Sequence, residues 1–338
     1  NRLEDISSLP NLSRLLYVDL RWNLLDFRPG TAATATIQAL SDWGVIVSAW
    51  PQREPPSILI NTNWVVRAGQ ESWLYFKVMD NTPGGELSVS HLPVSGPVIT
   101  DTNVAIGRVG ERYYGDSSEW LMKVTPAGSG TVTITLRAAN DGGLSTDAPV
   151  DVMVVTPLDV TDSFFADTNL VSWLTGGQAS WFGLTNSVLA GALAAQSGST
   201  TNSGESWLQA VTTNGPGILT FWWKVSSETN YDFLRFYLGT NEVARISGEV
   251  DWHAQTCPVP PGAHTLRWKY SKDADNFGGL DAGWVAQVSL TPASWLEVAG
   301  TPPNGECTLR LWLPPGKLYE VLYSSNLLDW TFLGTVTA

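Results

Sequence analysis

Hydrophobic and polar residues alternate with period two through most of this chain, the spacing of strands that bury one face. The densest case is Ile218–Tyr270. There Leu219-Thr220-Phe221-Trp222-Trp223-Lys224-Val225 leads into a polar turn over Ser226–Asn230, then Tyr231–Leu238, and later Thr265-Leu266-Arg267-Trp268-Lys269-Tyr270. Alternating or continuously apolar runs also predict strands at Ser57–Ile60, Trp73–Met79, Leu87–Leu92, Glu119–Val124, Gly130–Ala138 and Val150–Val155. Turn residues such as Asn140-Asp141-Gly142-Gly143 punctuate them. Helical spacing stands out once, over Ala32–Trp43, where Ile37, Leu40 and Trp43 form a stripe and Gly44 supplies a stop.

This pattern predicts a mainly β chain of tandem β-sandwich modules behind a short N-terminal segment that holds the helix. The expected divisions are residues 1–50, a Pro-rich linker at 51–56, a sandwich at 57–156, a second at 157–292 and a partial β-domain at 293–338. The linker reads Pro51-Gln52-Arg53-Glu54-Pro55-Pro56, and consecutive prolines interrupt strand pairing.

Several stretches resemble known families. Leu15-Leu16-Tyr17-Val18-Asp19-Leu20-Arg21-Trp22-Asn23-Leu24-Leu25 resembles one leucine-rich repeat, and Ile6, Leu9 and Leu12 resemble the tail of another. The resemblance implies a coil lined by the apolar residues, with Asn23 bonded to backbone at the inner turn. The run Val124–Leu136, followed by Asn140-Asp141-Gly142-Gly143-Leu144-Ser145, resembles the tandem bacterial Ig-like and cadherin-like repeats of large secreted proteins. Trp173-Leu174-Thr175-Gly176-Gly177, Ser206-Trp207-Leu208, the aromatic strand after Gly215-Pro216-Gly217, and Asp281-Ala282-Gly283-Trp284 resemble a jelly-roll domain of secreted bacterial proteins. The MAM and lectin-like jelly rolls are more distant likenesses. Such domains serve as accessory or recognition modules and are not usually catalytic. Ser324-Ser325-Asn326-Leu327-Leu328-Asp329-Trp330 resembles the turn of a small β-domain often found after such jelly rolls. By these resemblances the natural chain continues beyond both ends, and Asn1 reads as the start of a fragment or processed product.

Composition narrows the function classes. The 338 residues carry 19 Lys and Arg against 32 Asp and Glu, for a net charge of −13. That balance opposes nucleic-acid binding, which needs clustered cations, and docking on anionic membranes. No apolar run approaches the ~20 residues of a membrane-spanning helix. Seventeen Trp suit sandwich cores filled by large rings. The cysteines are Cys257 and Cys307. The preferred reading is two small buried hydrophobes, and a disulfide between them is the alternative if the export route is oxidising.

Catalytic signatures are missing. His91, His253 and His264 have no metal-ligand spacing, and there is no nucleophile elbow or phosphate loop. The chain is therefore expected not to be an enzyme. Numerous loop carboxylates serve solubility on the simplest reading. No cofactor is expected except a structural calcium ion, for which Asp273, Asp275 and Asp281 are the candidates. Relatives by resemblance carry an acid where this chain has Ala286.

Strand parity gives a sharper candidate. If Leu219, Phe221, Trp223 and Val225 point inward, Trp222 and Lys224 point outward; likewise Arg235 and Tyr237, and Arg267 and Lys269. These six would share one face if their strands are neighbours, and rings with forked donors can hold a sugar or an acidic glycan. The alternative is that another layer covers the face. The leading expectation is a non-enzymatic extracellular or cell-surface structural and adhesion protein. Its partners would be a glycan, another surface protein or copies of itself. The alternative is a carbohydrate-binding accessory region of a larger secreted hydrolase.

Overall fold

The computed structural model describes residues 2–81, 86–109, 117–161, 164–165, 167–185, 192–213, 215–300 and 308–338. The chain is mainly β, in sandwich modules arranged in tandem. It divides into two compact units, Asn1–Thr156 and Pro157–Ala338.

The first unit opens with a β–α–β coil. Strands β1 (Tyr17–Asp19) and β2 (Ile46–Ser48) pair in parallel, with Tyr17 opposite Ile46. Helix α1 (Ala32–Asp42) joins them, and its first turn is capped by Thr31, whose hydroxyl accepts from the Thr34 amide. Ile6, Leu20, Leu25 and Ala33 are buried inside the coil, with Val18, Phe27, Ile37 and Val47 against them. Asn23 is 2% exposed. Its amide donates to the Leu20 and Arg21 carbonyls, and its oxygen accepts from the Leu3 amide. The side chain thus satisfies backbone groups that the tight turn leaves unpaired.

Residues 51–56 are bonded into this unit. Gln52 is buried and donates to the Leu20 carbonyl, while its own carbonyl accepts from Asn81. Arg53 donates to the Trp22 carbonyl and pairs with Asp141. Prolines prevent strand pairing here, but polar side chains hold the segment in place.

Eight strands form the first sandwich: β3 (Ser57–Leu59), β4 (Asn63–Arg67), β5 (Ser72–Met79), β6 (Leu87–His91), β7 (Val104–Val109), β8 (Ser117–Val124), β9 (Gly130–Asn140) and β10 (Ser145–Val155). One sheet runs β3-β5-β8-β7 and the other β4-β10-β9-β6. Only β4 and β10 pair in parallel among these strands. Trp64, Phe76, Met122, Ile134 and Leu136 fill the space between the sheets.

The second unit contains a larger sandwich. Its strands are β11 (Leu170–Gly177), β12 (Phe182–Leu184), β13 (Ala194–Gln196), β14 (Glu205–Thr212), β15 (Gly215–Ser226), β16 (Phe233–Leu238), β17 (Asn241–Ile246), β18 (Glu249–Gly262), β19 (Thr265–Ser271) and β20 (Ala282–Pro292). Two five-stranded sheets result, ordered β11-β14-β19-β16-β17 and β12-β13-β20-β15-β18. Phe221 sits at the centre of the core. Its ring lies 4.8 Å from Phe236, 5.2 Å from Trp268 and 5.4 Å from Trp223. Trp173 stacks on Trp268 at 5.9 Å. The inward parity of Leu219, Phe221, Trp223, Val225, Leu234, Phe236, Leu266, Trp268 and Tyr270 holds: all are buried.

Strand neighbours differ from the expectation. After β15 the chain crosses to the opposite sheet instead of forming a hairpin. The Ser227 hydroxyl fixes that crossing by donating to the Asp232 carbonyl and accepting from the Gly248 amide. Within the same crossing Asn230 takes a left-handed conformation, φ 67°.

Two further hairpins end the unit, β21 (Trp295–Gly300) with β22 (Thr308–Trp312), and β23 (Leu318–Tyr323) with β24 (Thr331–Thr337). The turn of the second is held by Asn326, whose side-chain oxygen accepts from the Leu328 and Asp329 amides. Leu318, Leu328 and Trp330 are exposed there. Among the described residues no helix is long and apolar enough to cross a membrane.

Candidate functional site

The outer face of the β11-β14-β19-β16-β17 sheet carries a group of cations and rings in mutual contact. Strand alternation sends Glu205, Trp207 and Gln209 of β14 outward, with Arg267, Lys269 and Ser271 of β19, and Phe233, Arg235 and Tyr237 of β16. The register aligns them: Trp207 lies opposite Lys269, Lys269 opposite Arg235, and Arg235 opposite Arg245 of β17. A second row runs Gln209, Arg267, Tyr237, Glu242. Directly opposed side chains on one face are in contact range.

The contacts make a continuous ladder. Lys269 pairs with Glu205 at 3.0 Å and lies 5.7 Å from the Tyr237 ring centre. Arg235 reaches Glu242 at 3.4 Å and donates to the Ser271 hydroxyl. Arg245 approaches the same Glu242 at 3.7 Å. Phe233 is flanked by Arg235 and Arg245, at 4.4 and 5.1 Å. Arg267 lies over the Trp207 ring at 5.0 Å, and its Nε and Nη2 donate to the Gln209 side-chain Oε1. Trp207 lies across Gly176 of β11, where an added Cβ would stand 2.3 Å from the ring. A glycine is thus required for the indole to lie flat on the sheet.

Four of the six proposed ligand residues, Arg235, Tyr237, Arg267 and Lys269, therefore share one face, all half-buried. Trp222 and Lys224 do not join them. They lie on β15 in the opposite sheet, Trp222 between Ala254 and Ala286, and Lys224 near Asp251 at 3.6 Å and over Trp284 at 5.8 Å. The parity was right and the neighbour assumption wrong, because β15 and β16 enter different sheets. Trp207, Gln209, Phe233 and Arg245 also belong to this face, and none of them is among the sequence candidates. The alternation in Glu205-Ser206-Trp207-Leu208-Gln209-Ala210 was the available signal for the first two.

A second polar cluster lies at the end of this sandwich. Asp273 brings a carboxylate oxygen within 4.8 Å of those of Glu228 and Asp232. Asp281 stands apart from that group and pairs with Lys272, which also approaches Asp232 at 3.5 Å. Asp275 is exposed, and its amide donates to Asp273. The calcium candidates Asp273, Asp275 and Asp281 thus do not converge. Lys272, its side chain fully buried, already supplies a positive charge between Asp232 and Asp281. Burial raises the Asp281 carboxyl to about 6 and raises Asp232 as well, in each case against the pull of Lys272.

Cys257 is buried on β18 with a free thiol, which burial pushes above its ordinary value. Cys307 lies outside the described residues, as does any pairing with it. His253 accepts from the Trp223 indole at 2.8 Å, and His264 contacts the Pro261 carbonyl; both are packing and turn contacts.

The chain matches no protein-family model and no curated protein sequence. Among solved structures it is similar to a secreted serine protease, VesC, from Vibrio cholerae, at 14% identity and TM-score 0.29, over 70% of this chain and 51% of that one. This chain therefore spans about half the length of that protease. It is also similar to carbohydrate-binding modules of the β-sandwich superfamily, at 13% identity and TM-score 0.26, over 71% of this chain and 99% of theirs. A third likeness is to the sialic acid binding region of a Streptococcus sanguinis SK1 adhesin, at 10% identity and TM-score 0.25, over 71% of this chain and 77% of that one. At such scores the likeness does not extend to a shared site.

Proposed function

We propose that this chain is a non-enzymatic recognition region of an extracellular or cell-surface protein. It binds a glycan on the outer face of the β11-β14-β19-β16-β17 sheet. The observation that carries this reading is Trp207, laid flat over Gly176 with the Arg267 guanidinium 5.0 Å from its ring. The indole offers a sugar an apolar contact along the part of the ring left between Gly176 and Arg267, and the guanidinium over the ring offers directional donors. Because both belong to strands in the middle of a sheet, the site is rigid before a ligand arrives, which lowers the ordering cost of binding.

The same face would serve whether the region anchors an adhesin or accompanies a hydrolytic domain elsewhere in a longer chain. Copies of the chain or another surface protein are the competing partners, and the exposed apolar side chains of the β23–β24 hairpin favour them.

A glycan array probed with the whole chain and with Trp207→Ala tests the reading. The expected result is binding to a limited set of glycans that weakens at least tenfold in the variant, about 1.4 kcal/mol, with an unchanged thermal melt. Binding that survives the substitution would move the site elsewhere. Absence of glycan binding, with association of copies at micromolar concentration, would favour the self-contact reading.

A further inference from the structure

We infer that the ligand of this face is anionic: a sugar bearing a carboxylate or a sulfate, whose charged group is received by Arg267. The inference rests on the glycan reading above and narrows it.

The charge distribution is the first ground. In a chain of net charge −13, Arg235, Arg245, Arg267 and Lys269 stand together, and among the described residues their acidic partners are Glu205 and Glu242. Arg235 and Arg245 share Glu242, and Lys269 takes Glu205. Arg267 is different. Its partners are neutral, the Gln209 side-chain amide oxygen and the Trp207 ring. Among the described residues it forms no ion pair, so its charge is left for a ligand.

The second ground is orientation. Gln209 holds the Nε and Nη2 edge, and Trp207 lies along the guanidinium. Nη1 is left to donate, since the Gln209 side chain engages Nε and Nη2. A fixed fork suits a planar or tetrahedral oxyanion better than a mobile ammonium does. An anion seated there would bring the sugar that carries it against the edge of the Trp207 ring, which Arg267 overlies.

The small size of the patch sets the ligand class. Electrostatic attraction fades over about 8 Å at physiological salt. Beyond the ladder the chain is acidic, so an extended polyanion such as DNA would meet repulsion along most of its length. A single anionic sugar within a glycan meets only the ladder.

The test compares matched acidic and neutral glycans: carboxylated sugars and their neutral methyl esters, and sulfated sugars with their unsulfated counterparts. Duplex DNA and phosphatidylserine vesicles are added as controls. The acidic members should bind at least tenfold more tightly than the neutral ones, and weaken as salt is raised from 50 to 300 mM, by roughly threefold or more. Arg267→Gln should abolish the preference, and Arg267→Lys should keep the charge but lose most of the affinity. If Arg267→Gln melts early, Lys269→Gln is used instead, with a partial loss expected. Equal binding of acidic and neutral forms, insensitive to Arg267, would overturn this inference and leave the glycan reading standing. No glycan binding would overturn both, and tighter binding to DNA or vesicles would overturn the choice of ligand. Carboxylated and sulfated arms tell which anion the face receives.

Discussion

Lys272 carries its ammonium to a place with no solvent contact, between Asp232 and Asp281. Removing one partner of such a set leaves charges buried without compensation. Lys272→Ala should destabilise the second unit by about 3–5 kcal/mol, read by urea unfolding. The pH dependence follows from Asp281. Its folded carboxyl is raised to about 6, so the folded state binds this proton more tightly than the unfolded chain does. The stabilisation is complete below the ordinary carboxylate value and is lost as pH rises through about 6. The native chain should therefore lose melting temperature relative to Asp281→Asn between pH 4 and pH 7. A constant difference between the two would show that burial does not shift this group. His253 offers a simpler case. It accepts from the Trp223 indole, and His253→Ala should cost about 1–3 kcal/mol because a buried donor is left unmade.

At the scale of elements, one glycine decides how a strand can be used. A Cβ on Gly176 would stand 2.3 Å from the Trp207 ring. Gly176→Ala should lift the indole from the sheet, shift its fluorescence and weaken glycan binding, while the melt changes little. Phe221→Ala should act in the opposite way, costing about 3–5 kcal/mol because the cavity opens among three packed rings, Trp223, Phe236 and Trp268. What could be read in advance divides along the same line. Burial parity is a local property, so Leu219, Phe221 and Trp223 could be placed inward from their alternation alone. Which strand lies beside which is decided by contacts far apart in the chain. Trp222 and Lys224 were misplaced for that reason, although the side of the strand they occupy was read correctly. Trp207 and Gly176 could not be joined without knowing that β11 and β14 are neighbours.

Across the whole molecule, the two compact units meet in sequence at Thr156 and Pro157. Chains covering residues 1–156 and 157–338 should each fold alone and give a cooperative melt by calorimetry. In the first unit, Arg53 connects the coil to the sandwich by pairing with Asp141 and donating to the Trp22 carbonyl. The acidic loops illustrate the limit of composition. Lys272, one residue before Asp273, reaches between Asp232 and Asp281, while Asp273 groups instead with Glu228 and Asp232. Nothing in a local pattern distinguishes a lysine that reaches into a core from one that reaches into water.

The crossing between β15 and β16 has a consequence in time as well as in space. Because these consecutive aromatic strands enter different sheets, their natural hairpin is denied to the folding chain. Although β16 can pair at once with β17, β15 must wait for β18 and β20, as in Ser226 with Glu249 and Gly217 with Pro292, far apart along the sequence. Loop closure must come before such contacts return any stability, and topologies of this kind fold in roughly milliseconds to seconds. During that interval the apolar face of β15, with Leu219, Phe221 and Trp223, has no cover. The acidic surface of the chain then acts kinetically, keeping unfinished molecules apart while the sandwich closes.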